Sequence, residues 1–565
     1  MTKLSILVSS LLLASSASAT LWPIPAHYEQ GDKPIWLSPD VKLEFGGTTS
    51  GSKKVLDAWG RTKDALFKTN IVPWQFHPKG TQFEPTPNSG TTIKKVIISQ
   101  TGKDVDAPTY ENLKEAYNLT IPASSDTVYI DAETSLGVMH GLTTLQQLFY
   151  ASQSKKAGGA VWGKGPVTIV DEPKFKHRGL NLDVSRQWYP KETIMKVIDT
   201  LAFNKMNRLH LHATDSQSWP LEIPAMPELS QKGAYRPDLT YTPADLQQIL
   251  DFAEARGIQV IVEIDMPGHT TSIADSHPDL IVGRNIQPNW DTYAAQPPSG
   301  SLKLNNKNVE SFLSKLFRDL LPRLNKHTKY FHTGGDEINA NVYALDPGVG
   351  SNDKTKIQPY LQKFSNHVQS ELARQKMSPF VWEEMLNDWN ITLPKETIVQ
   401  VWQTDEAAQK ATEKGFRVIQ GNYNFWYLDC GQGQWLDFGG PAFKKFYPFA
   451  DYCSPRKNWR LIYSYSPTQF LTEAQAKLVL GGEVHIWSEQ IDSQSIDMML
   501  WPRGSAAAEV LWSGRTDANG NNRTFADATP RLAEMRERMV ARGVRATPVT
   551  QLWCLSHPHA CELNT

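Results

Sequence analysis

The sequence predicts an α/β protein in which a (β/α)8 barrel follows a smaller α+β domain. From Arg178 onward, short apolar segments alternate with segments of helical periodicity. Short apolar strands that alternate with helices indicate a parallel sheet buried on both faces. Eight such units can be counted, which is the number in a closed barrel. Carboxylates and aromatic residues directly follow the apolar segments, as active-site residues follow barrel strands.

The predicted barrel strands share short length and high apolar content: Gly179–Val184, Arg208–Ala213, Gln259–Asp265, Lys329–Thr333, Phe380–Glu383, Ile398–Trp402, Arg417–Gln420 and Leu478–Trp487. The helices expected between them include Lys191–Asn204, Pro243–Arg256, Val309–Leu324, Ile357–Gln375 and Glu406–Lys414. Near the C-terminus, the Arg and Glu residues from Arg531 to Arg542 predict a solvated helix with i,i+4 ion pairs. The barrel and this helical segment are expected to span residues 173–565.

Residues 20–172 predict the smaller α+β domain. Thr48–Pro87 is rich in Gly, Lys, Thr and Pro, which predicts a loop or a segment removed by processing. Alternation and helical spacing predict three strands and one helix in the rest of this domain, at Ile35–Phe45, Ile93–Ser99, Val128–Asp131 and Gly137–Tyr150.

The composition is that of a globular protein with no marked charge. Of 565 residues, 40% are apolar and 21% charged, and 58 Lys+Arg balance 59 Asp+Glu to a net charge of -1. A near-neutral chain offers no overall electrostatic attraction for nucleic acid or an anionic membrane, so neither is expected as a partner.

The first 19 residues predict a secretory signal peptide. Lys3 precedes an apolar run, Leu4–Leu13, and Ala17-Ser18-Ala19 fits a signal-peptidase site. The apolar run is too short to span a bilayer. A secreted, extracellular location follows, and three glycosylation sequons agree with it, at Asn118, Asn390 and Asn522.

The four cysteines predict two disulfides, because an even number in an oxidising compartment favours pairing. Three connectivities are possible. Short loops close most easily, which favours Cys430–Cys453 and Cys554–Cys561. A metal site is disfavoured because no Cys-x-x-Cys pair is present.

The side chains at the predicted strand ends favour cleavage of glycosidic bonds, because carboxylates transfer protons and aromatic rings stack on sugars. These side chains are Asp183, His210, His212, Asp215, Glu263, Asp265, His269, Asp336, Glu337, Glu383, Glu384, Trp402, Asn422, Tyr427, Asp429, Trp487 and Glu489. Asp183 and Arg186 are expected to form a structural ion pair.

The most specific motif is Phe331-His332-Thr333-Gly334-Gly335-Asp336-Glu337, in which two glycines allow a tight turn before two carboxylates. Neighbouring carboxylates repel, so one tends to keep its proton and can act as a general acid. Two adjacent residues in one turn are badly placed to act on opposite faces of a sugar, which predicts that the nucleophile comes from elsewhere. The alternative is a helix N-terminus, where Asp and Glu are favoured by the dipole.

Two further functions are compatible with these residues. His210 and His212 lie on the same face of a strand, and with Asp215, Asp265 or His269 they could form a metal-dependent hydrolase site. The same histidines could instead form a hydrogen-bonded network that supports Asp336 and Glu337. A catalytically silent glycan-binding protein on the same scaffold is the second alternative.

His332-Thr333-Gly334-Gly335-Asp336-Glu337 resembles the signature of glycoside hydrolase family 20, the β-N-acetylhexosaminidases, and in particular of secreted fungal members. The resemblance covers nearly the whole mature chain. Further similar segments follow in order: His177-Arg178-Gly179, His210-Leu211-His212, Glu263 to His269, Val381 to Glu384, Trp426 to Asp429, and Gly481 to Glu489. It also implies a zincin-like fold for the N-terminal domain.

This resemblance implies roles for particular residues. Glu337 is expected to be the general acid and then base, while Asp336 orients the substrate's 2-acetamido group, whose oxygen is the nucleophile. Asp215 and His269 are expected to support this pair. The substrate-binding residues implied are Arg178, Trp382, Trp402, Tyr427, Asp429, Trp487 and Glu489, although Arg178 lies at the start of a predicted strand rather than its end.

The resemblance further implies an exo-acting enzyme that removes terminal β-linked N-acetylglucosamine or N-acetylgalactosamine from chitooligosaccharides or glycans with retention of configuration. The expected partner is thus a small carbohydrate. No metal or other cofactor is expected, and a homodimer is possible.

Overall fold

The computed structural model describes residues 20–47, 51–87, 89–436, 447–558 and 560–562. The predicted signal peptide therefore lies outside the described residues. Within them, no helix combines the length and the apolar character that crossing a bilayer requires.

The N-terminal part forms a six-stranded mixed sheet in the order β1-β2-β4-β3-β6-β5, in which β1 also pairs with β6. The strands are β1 (His27–Phe45), β2 (Thr91–Gln100), β3 (Tyr117–Ile121), β4 (Thr127–Ala132), β5 (Tyr150–Ala151) and β6 (Val161–Asp171). Helices α1 (Lys53–Phe67) and α2 (Ser135–Gln147) pack against each other, and apolar residues of the sheet and of both helices form one core.

Eight of the strands that follow form a closed parallel barrel, which confirms the predicted (β/α)8 class. Each predicted strand is present, and the barrel strands are β7 (His177–Asp183), β8 (Arg208–His212), β9 (Gln259–Glu263), β12 (Tyr330–His332), β13 (Ser378–Trp382), β14 (Ile398–Val401), β15 (Arg417–Gln420) and β16 (Val479–Ile486). A small antiparallel pair, β10 (Ile281–Val282) and β11 (Ser301–Leu302), lies in the connection after β9.

The helices of the barrel part are α3 (Lys191–Phe203), α4 (Glu228–Gly233), α5 (Pro243–Glu254), α6 (Lys307–Leu324), α7 (Ala340–Tyr343), α8 (Lys354–Arg374), α9 (Glu384–Asn387), α10 (Asp405–Glu413), α11 (Tyr423–Trp426), α12 (Trp459–Ser464), α13 (Glu473–Ala476), α14 (Ile496–Leu500), α15 (Arg503–Ser513), α16 (Phe525–Ala541) and α17 (Leu552–Ser556). Short 3-10 helices occur at Trp74–Phe76, Lys155–Ala157, Thr271–Asp275, Pro278–Leu280 and Trp290–Thr292.

The barrel interior is layered, and this layering places the polar groups. Side chains two residues apart on a strand share a face, so Ile261 of β9 points into the barrel one layer below Glu263. Ile261 belongs to a buried apolar cluster with Tyr330 and Phe380 at the amino ends of the strands. Glu263 itself is fully buried among histidines. The polar residues therefore begin midway up the barrel and continue to its carboxyl end.

The segment Thr48–Pro87 is not simply a loop or a removed segment, because it contains α1. Ser52 caps this helix by accepting a hydrogen bond from the backbone N–H of Val55, and Val55 and Leu66 are buried. The apolar face of α1 is narrow, and flanking glycines, lysines and threonines dominate the composition of the segment. The composition of the whole segment is therefore polar, and it does not reveal the helical spacing of the few apolar residues in α1.

Helix α16, near the C-terminus, is not solvated along its charged face. Arg531 donates to both carboxylate oxygens of Glu509 at 2.7 and 2.8 Å, and both residues are buried. Arg538 donates to the backbone oxygens of Gln147 and Phe149 at 3.0 and 3.3 Å while it also pairs with Glu534. The predicted i,i+4 pairing is present, but the arginines also bind the N-terminal part of the chain, which helical spacing alone does not reveal.

Both disulfides favoured by loop length are present, Cys430–Cys453 and Cys554–Cys561. The sequon residues Asn118, Asn390 and Asn522 are exposed, as attachment of a glycan requires. Whether they carry glycans stays a prediction.

Candidate active site

A cavity of about 450 Å³ opens at the carboxyl ends of the barrel strands. It is polar on one side and aromatic on the other. The lining residues are Arg186, His269, Ala295, Gln296, Asp336, Glu337, Trp382, Trp402, Gln403, Tyr423, Tyr427, Gln434, Trp435, Leu436, Ala450, Asp451, Tyr452, Trp487 and Glu489. The predicted pair Asp336 and Glu337 thus faces the same space as the predicted tryptophans.

The turn after β12 brings the two carboxylates to the cavity, and only glycines fit the positions before them. Gly334 has φ +66°, and a Cβ there would lie 1.6 Å from Oδ1 of Asp265. Gly335 has φ +103°, and a Cβ there would collide with Met385. Glu337 itself has φ 51°, a left-handed conformation that is uncommon outside glycine and is typical of residues held for function.

Asp336 is buried and paired with Asp265 through a carboxyl–carboxylate hydrogen bond. Burial and the charge of Asp336 raise the pKa of Asp265 well above its usual range, so Asp265 holds the shared proton. Oδ1 of Asp265 also accepts the backbone N–H of Gly335 at 2.8 Å. Asp336 also lines the cavity, where its carboxylate can accept a hydrogen bond from a ligand.

His269 connects Glu337 to a buried carboxylate. Its Nε2 lies 3.2 Å from Oε2 of Glu337, and its Nδ1 lies 3.1 Å from Oδ1 of Asp215. Burial alone would lower the pKa of His269, but the charges of Asp215 and Asp336 raise it well above the usual range. His269 is therefore a cation that donates through both ring nitrogens, and the structure brings both predicted supporting residues together.

Aromatic side chains form the other wall. The rings of Trp402 and Tyr427 are nearly parallel with centroids 6.0 Å apart, and Trp487 lies 6.1 Å from Trp382 and 6.3 Å from Tyr427. The indole N–H of Trp402 donates to Oε1 of Glu384 at 3.0 Å, which holds its ring. Flat apolar faces of this kind pack against a sugar ring or a methyl group.

Carboxyl groups suited to sugar hydroxyls lie at the end of the cavity near Gln296. Glu489 accepts from Nε2 of Gln296 at 3.3 Å, and burial raises its pKa. Asp429 does not line the cavity itself but lies beside it, where its Oδ1 accepts the backbone N–H of Trp487 at 3.4 Å. Burial and the charge of Glu489 raise the pKa of Asp429 well above its usual range.

Arg178 is not in the cavity, which corrects its predicted role. It is fully buried at the amino end of β7 and donates to both oxygens of Glu115 at 2.6 and 3.0 Å. The arginine that lines the cavity is Arg186, which pairs with Asp215 at 2.9 Å and with Asp183 at 3.4 Å. The predicted Asp183–Arg186 ion pair is thus present. Arg186 was predicted only as a structural partner of Asp183, although its position just after a strand end could have indicated a site residue.

Several lining residues were not predicted from the sequence, namely Gln296, Gln403, Tyr423, Gln434, Trp435, Asp451 and Tyr452. Most lie in the long connection after β15, where the disulfide Cys430–Cys453 joins two stretches of chain. Asp451 accepts the backbone N–H groups of residues 431, 432 and 433 at 2.7 to 3.1 Å. Only the length of this connection signalled an active-site loop.

The histidines proposed as alternative metal ligands use their ring nitrogens for carboxylates. His210 faces Glu263 and Glu483 at 3.0 and 3.1 Å, and His212 faces Glu263 and Asp215. Burial alone would lower the pKa of His210, but the two glutamates raise it to about 9. Each ring nitrogen of His210 and His212 thus faces a carboxylate, so this arrangement fits the hydrogen-bonded network.

A closed barrel whose carboxyl end combines a carboxylate pair with an aromatic wall belongs to the class of barrel enzymes that act on carbohydrates. Residues 175–515 match the family model for the catalytic domain of glycosyl hydrolase family 20. Residues 21–148 match a second model, described as beta-acetyl hexosaminidase like.

Curated relatives and solved structures agree. A beta-hexosaminidase of Arthroderma benhamiae is 38% identical over 96% of this chain and 97% of its own, and one of Emericella nidulans is 33% identical over 98% and 97%. The crystal structure of the Flavobacterium johnsoniae chitobiase superposes with a TM-score of 0.73 at 25% identity, covering 93% of this chain and 73% of the other. The chain therefore belongs to glycoside hydrolase family 20, and its activity is that of a β-N-acetylhexosaminidase.

The two arginines of β7 and its following loop should respond differently to replacement. In Arg178→Met, Glu115 loses its bidentate partner, and breaking a buried pair of this kind lowers the free energy of unfolding by about 3–5 kcal/mol. The folded variant should keep the parent's kcat/KM. Arg186→Met removes a charged donor from the cavity, and the loss of about 1.5–3 kcal/mol of hydrogen bonding lowers kcat/KM roughly 10–100-fold.

Urea unfolding measures the effect on stability, and steady-state kinetics measure the effect on activity. If Arg178→Met kept its stability but lost activity, Arg178 would be a substrate-binding residue as the sequence predicts. The pH dependence is a further check. Burial alone would raise the pKa of Glu115, but Arg178 and His140 lower it below its ordinary value of 4.5. The stabilisation is therefore complete above about pH 4.5 and declines as the pH falls further, so the difference in stability between the parent and Arg178→Met should shrink in acid.

Proposed function

We propose that the substrate's own 2-acetamido oxygen is the nucleophile and that the enzyme is a retaining glycosidase. The observation that supports this most is the position of the carboxylates. Of those lining the described cavity, Asp451 is engaged by three backbone N–H groups, and Glu489 lies at the hydroxyl-binding end near Gln296. Asp336 is next to Glu337 in one turn, so it cannot attack the opposite face of a sugar that Glu337 protonates.

The reaction then has two steps. In the first, the acetamido oxygen forms a bond to C1 while the glycosidic C–O bond breaks, and Glu337 gives its proton to the leaving oxygen. In the second, Glu337 takes a proton from water as the water oxygen bonds to C1 and the bond to the acetamido oxygen breaks. Each step inverts C1, so the configuration is retained overall.

Asp336 and the aromatic wall suit the acetamido group. Asp336 lines the cavity, where its carboxylate can accept the acetamide N–H, and its charge opposes the positive charge that develops on the cyclic intermediate. Tyr427 is buried beside Trp402 and Trp487 and can donate its hydroxyl to the acetamide oxygen. Burial raises its pKa well above the usual range, which keeps that hydroxyl protonated.

The natural substrates are proposed to be terminal, non-reducing β-linked N-acetylglucosamine or N-acetylgalactosamine residues of chitooligosaccharides or glycans. A cavity of about 450 Å³ whose floor is the end of the barrel suits one buried terminal sugar. Secretion is proposed from the predicted signal peptide, the exposed sequons and the two disulfides, which form in oxidising compartments. A homodimer is proposed from the family resemblance, and light scattering would measure it.

The test is hydrolysis of aryl N-acetyl-β-glucosaminide and N-acetyl-β-galactosaminide by the purified protein, with reducing-end-labelled chitooligosaccharide as the second substrate. We expect release of the β-anomer first, one sugar at a time from the non-reducing end, and full activity after exhaustive chelation. Release of internal fragments from an oligosaccharide blocked at its non-reducing end would contradict exo action. Loss of activity on chelation, restored by a divalent metal, would favour the metal-dependent alternative, and binding without turnover would favour the silent one.

A further inference from the structure

Glu263 is a fully buried carboxylate beneath the active site, and it does not line the cavity. Trp382 is the cavity-lining residue to which it is directly hydrogen-bonded in the described structure. It lies at the end of β9, where His210, His212 and Trp382 direct N–H groups at it. Nδ1 of His332 also lies 3.1 Å from Oε1. His210 Nε2 is 3.0 Å from Oε2, His212 Nδ1 contacts the same oxygen, and the indole N–H of Trp382 donates to Oε1 at 2.8 Å.

One path from Glu263 leads to the general acid. His212 contacts Glu263 through Nδ1 and Oδ2 of Asp215 through Nε2, the latter at 2.8 Å. The other oxygen of Asp215 is 3.1 Å from His269, whose Nε2 is 3.2 Å from Glu337. The imidazoles of His212 and His269 thus alternate with the carboxylates of Glu263, Asp215 and Glu337 in one continuous series of hydrogen bonds.

The second path from Glu263 leads to the wall of the cavity and is a single hydrogen bond. Trp382 is 1% exposed, and the carboxylate of Glu263 accepts its only N–H group. This bond sets the rotation of the indole about its χ angles. The ring in turn contacts Trp487 at 6.1 Å between centroids, so its orientation determines the shape of the wall.

We propose that Glu263 is a positioning residue that holds two parts of the active site in register: the acid/base group Glu337, through His212, Asp215 and His269, and the wall of the cavity, through Trp382. Substrate assistance needs both at once, because the acetamido oxygen must reach C1 while the leaving oxygen is protonated. A small misplacement of either group is sufficient to slow such a reaction strongly. This inference rests on the proposed function.

A second buried glutamate provides a matched control. Glu483 of β16 is also 0% exposed, and it accepts from His177 at 2.7 Å, His210 at 3.1 Å and Gln400 at 2.9 Å. It shares His210 with Glu263 but contacts neither His212 nor Trp382. Glu483→Gln therefore removes the same charge from the same layer of the barrel without breaking either path.

The test compares Glu263→Gln and Glu483→Gln on two N-acetyl-β-glucosaminides that differ only in leaving group. A 2,4-dinitrophenolate leaves without a proton, whereas a sugar alkoxide needs the general acid. For Glu263→Gln we expect kcat on chitobiose to fall roughly tenfold more than kcat on the dinitrophenyl substrate, together with weaker competitive inhibition by N-acetylglucosamine. Glu483→Gln should keep the parent's ratio of kcat values and the parent's inhibition constant, even if its melting temperature falls.

Two further variants separate the paths and do not depend on the folding of Glu263→Gln. His212→Asn interrupts the path to the acid and should change the ratio of kcat values without changing inhibition. Trp382→Phe removes only the N–H donor and part of the ring, and should weaken inhibition without changing the ratio. Circular dichroism and thermal melting would show that each variant is folded before its kinetics are compared.

The proposal is overturned if folded Glu263→Gln keeps both parent values, or if Glu483→Gln shows the same double defect. If Glu263→Gln does not fold, it is overturned when His212→Asn keeps the parent ratio or Trp382→Phe keeps the parent inhibition. Failure of the parent itself to cleave either substrate would instead overturn the proposed function, so the two failures are distinguishable.

Discussion

Replacing Glu337 by glutamine should lower kcat on oligosaccharides by about 10²–10⁴, which is the contribution of a positioned general acid and base. Glutamine is nearly isosteric and preserves the left-handed turn, but it can neither give a proton to the leaving oxygen nor take one from water. KM should change little, because Glu337 is one of nineteen described residues that line the cavity and contributes to protonation rather than to binding of the sugar ring. Steady-state kinetics on chitobiose would measure both parameters.

Glu396→Gln is a suitable control for this prediction. Glu396 is exposed in the segment before β14, at the amino ends of the barrel strands and far from the cavity. Its replacement removes the same charge and should leave kcat unchanged. Near-normal turnover by folded Glu337→Gln would exclude Glu337 as the acid and leave the identity of the proton donor open.

Asp336→Asn should also be severe, with kcat on acetamido sugars reduced roughly 10²–10³-fold, as when one stabilising group is removed from a charged transition state. The amide oxygen of asparagine still accepts a hydrogen bond from the acetamide N–H. What disappears is the negative charge beside the cationic intermediate and the acceptor that Asp265 needs for its proton. The expected loss therefore appears in kcat more than in KM.

The acetamido group of the substrate offers an independent check on the same step. The parent enzyme should hydrolyse an aryl β-glucoside, which lacks this group, far more slowly than the matching N-acetyl-β-glucosaminide. Asp336→Asn should have little further effect on the glucoside, because no charged acetamide forms there. Efficient cleavage of the plain glucoside by the parent would show that the nucleophile belongs to the protein.

The barrel could be predicted well from the sequence, because each of its strands is a short apolar segment that can be recognised from its own residues. The Asp336-Glu337 pair was predictable for a similar reason, since two glycines and two carboxylates at a strand end form a local motif. His269 and Asp215 were also identified from their positions after strands. These features depend on neighbours in sequence, which pattern analysis can read.

The features that were missed depend on partners distant in sequence. Arg178 lies at the start of β7 and Arg186 just after its end, and only the contact of Arg178 with Glu115 shows that Arg178 lies outside the cavity. The spacing of Arg531 and Arg538 is typical of the exposed face of a helix, but both arginines are buried by contacts with Glu509 and with the backbone near Gln147. Trp435 and Tyr452 reach the cavity because a disulfide and Asp451 shape their loop.

The buried polar contacts between the N-terminal sheet and the barrel bear on how this enzyme can be engineered. Lys205 of the barrel part pairs with Asp171 at 3.0 Å, Trp512 donates to the same carboxylate, and Arg178 reaches Glu115. If either part were replaced alone, these buried charged groups would lose their partners at the interface. Chimaeras made from relatives should therefore exchange the N-terminal domain and the barrel together, so that the residues on both sides of their interface come from the same protein.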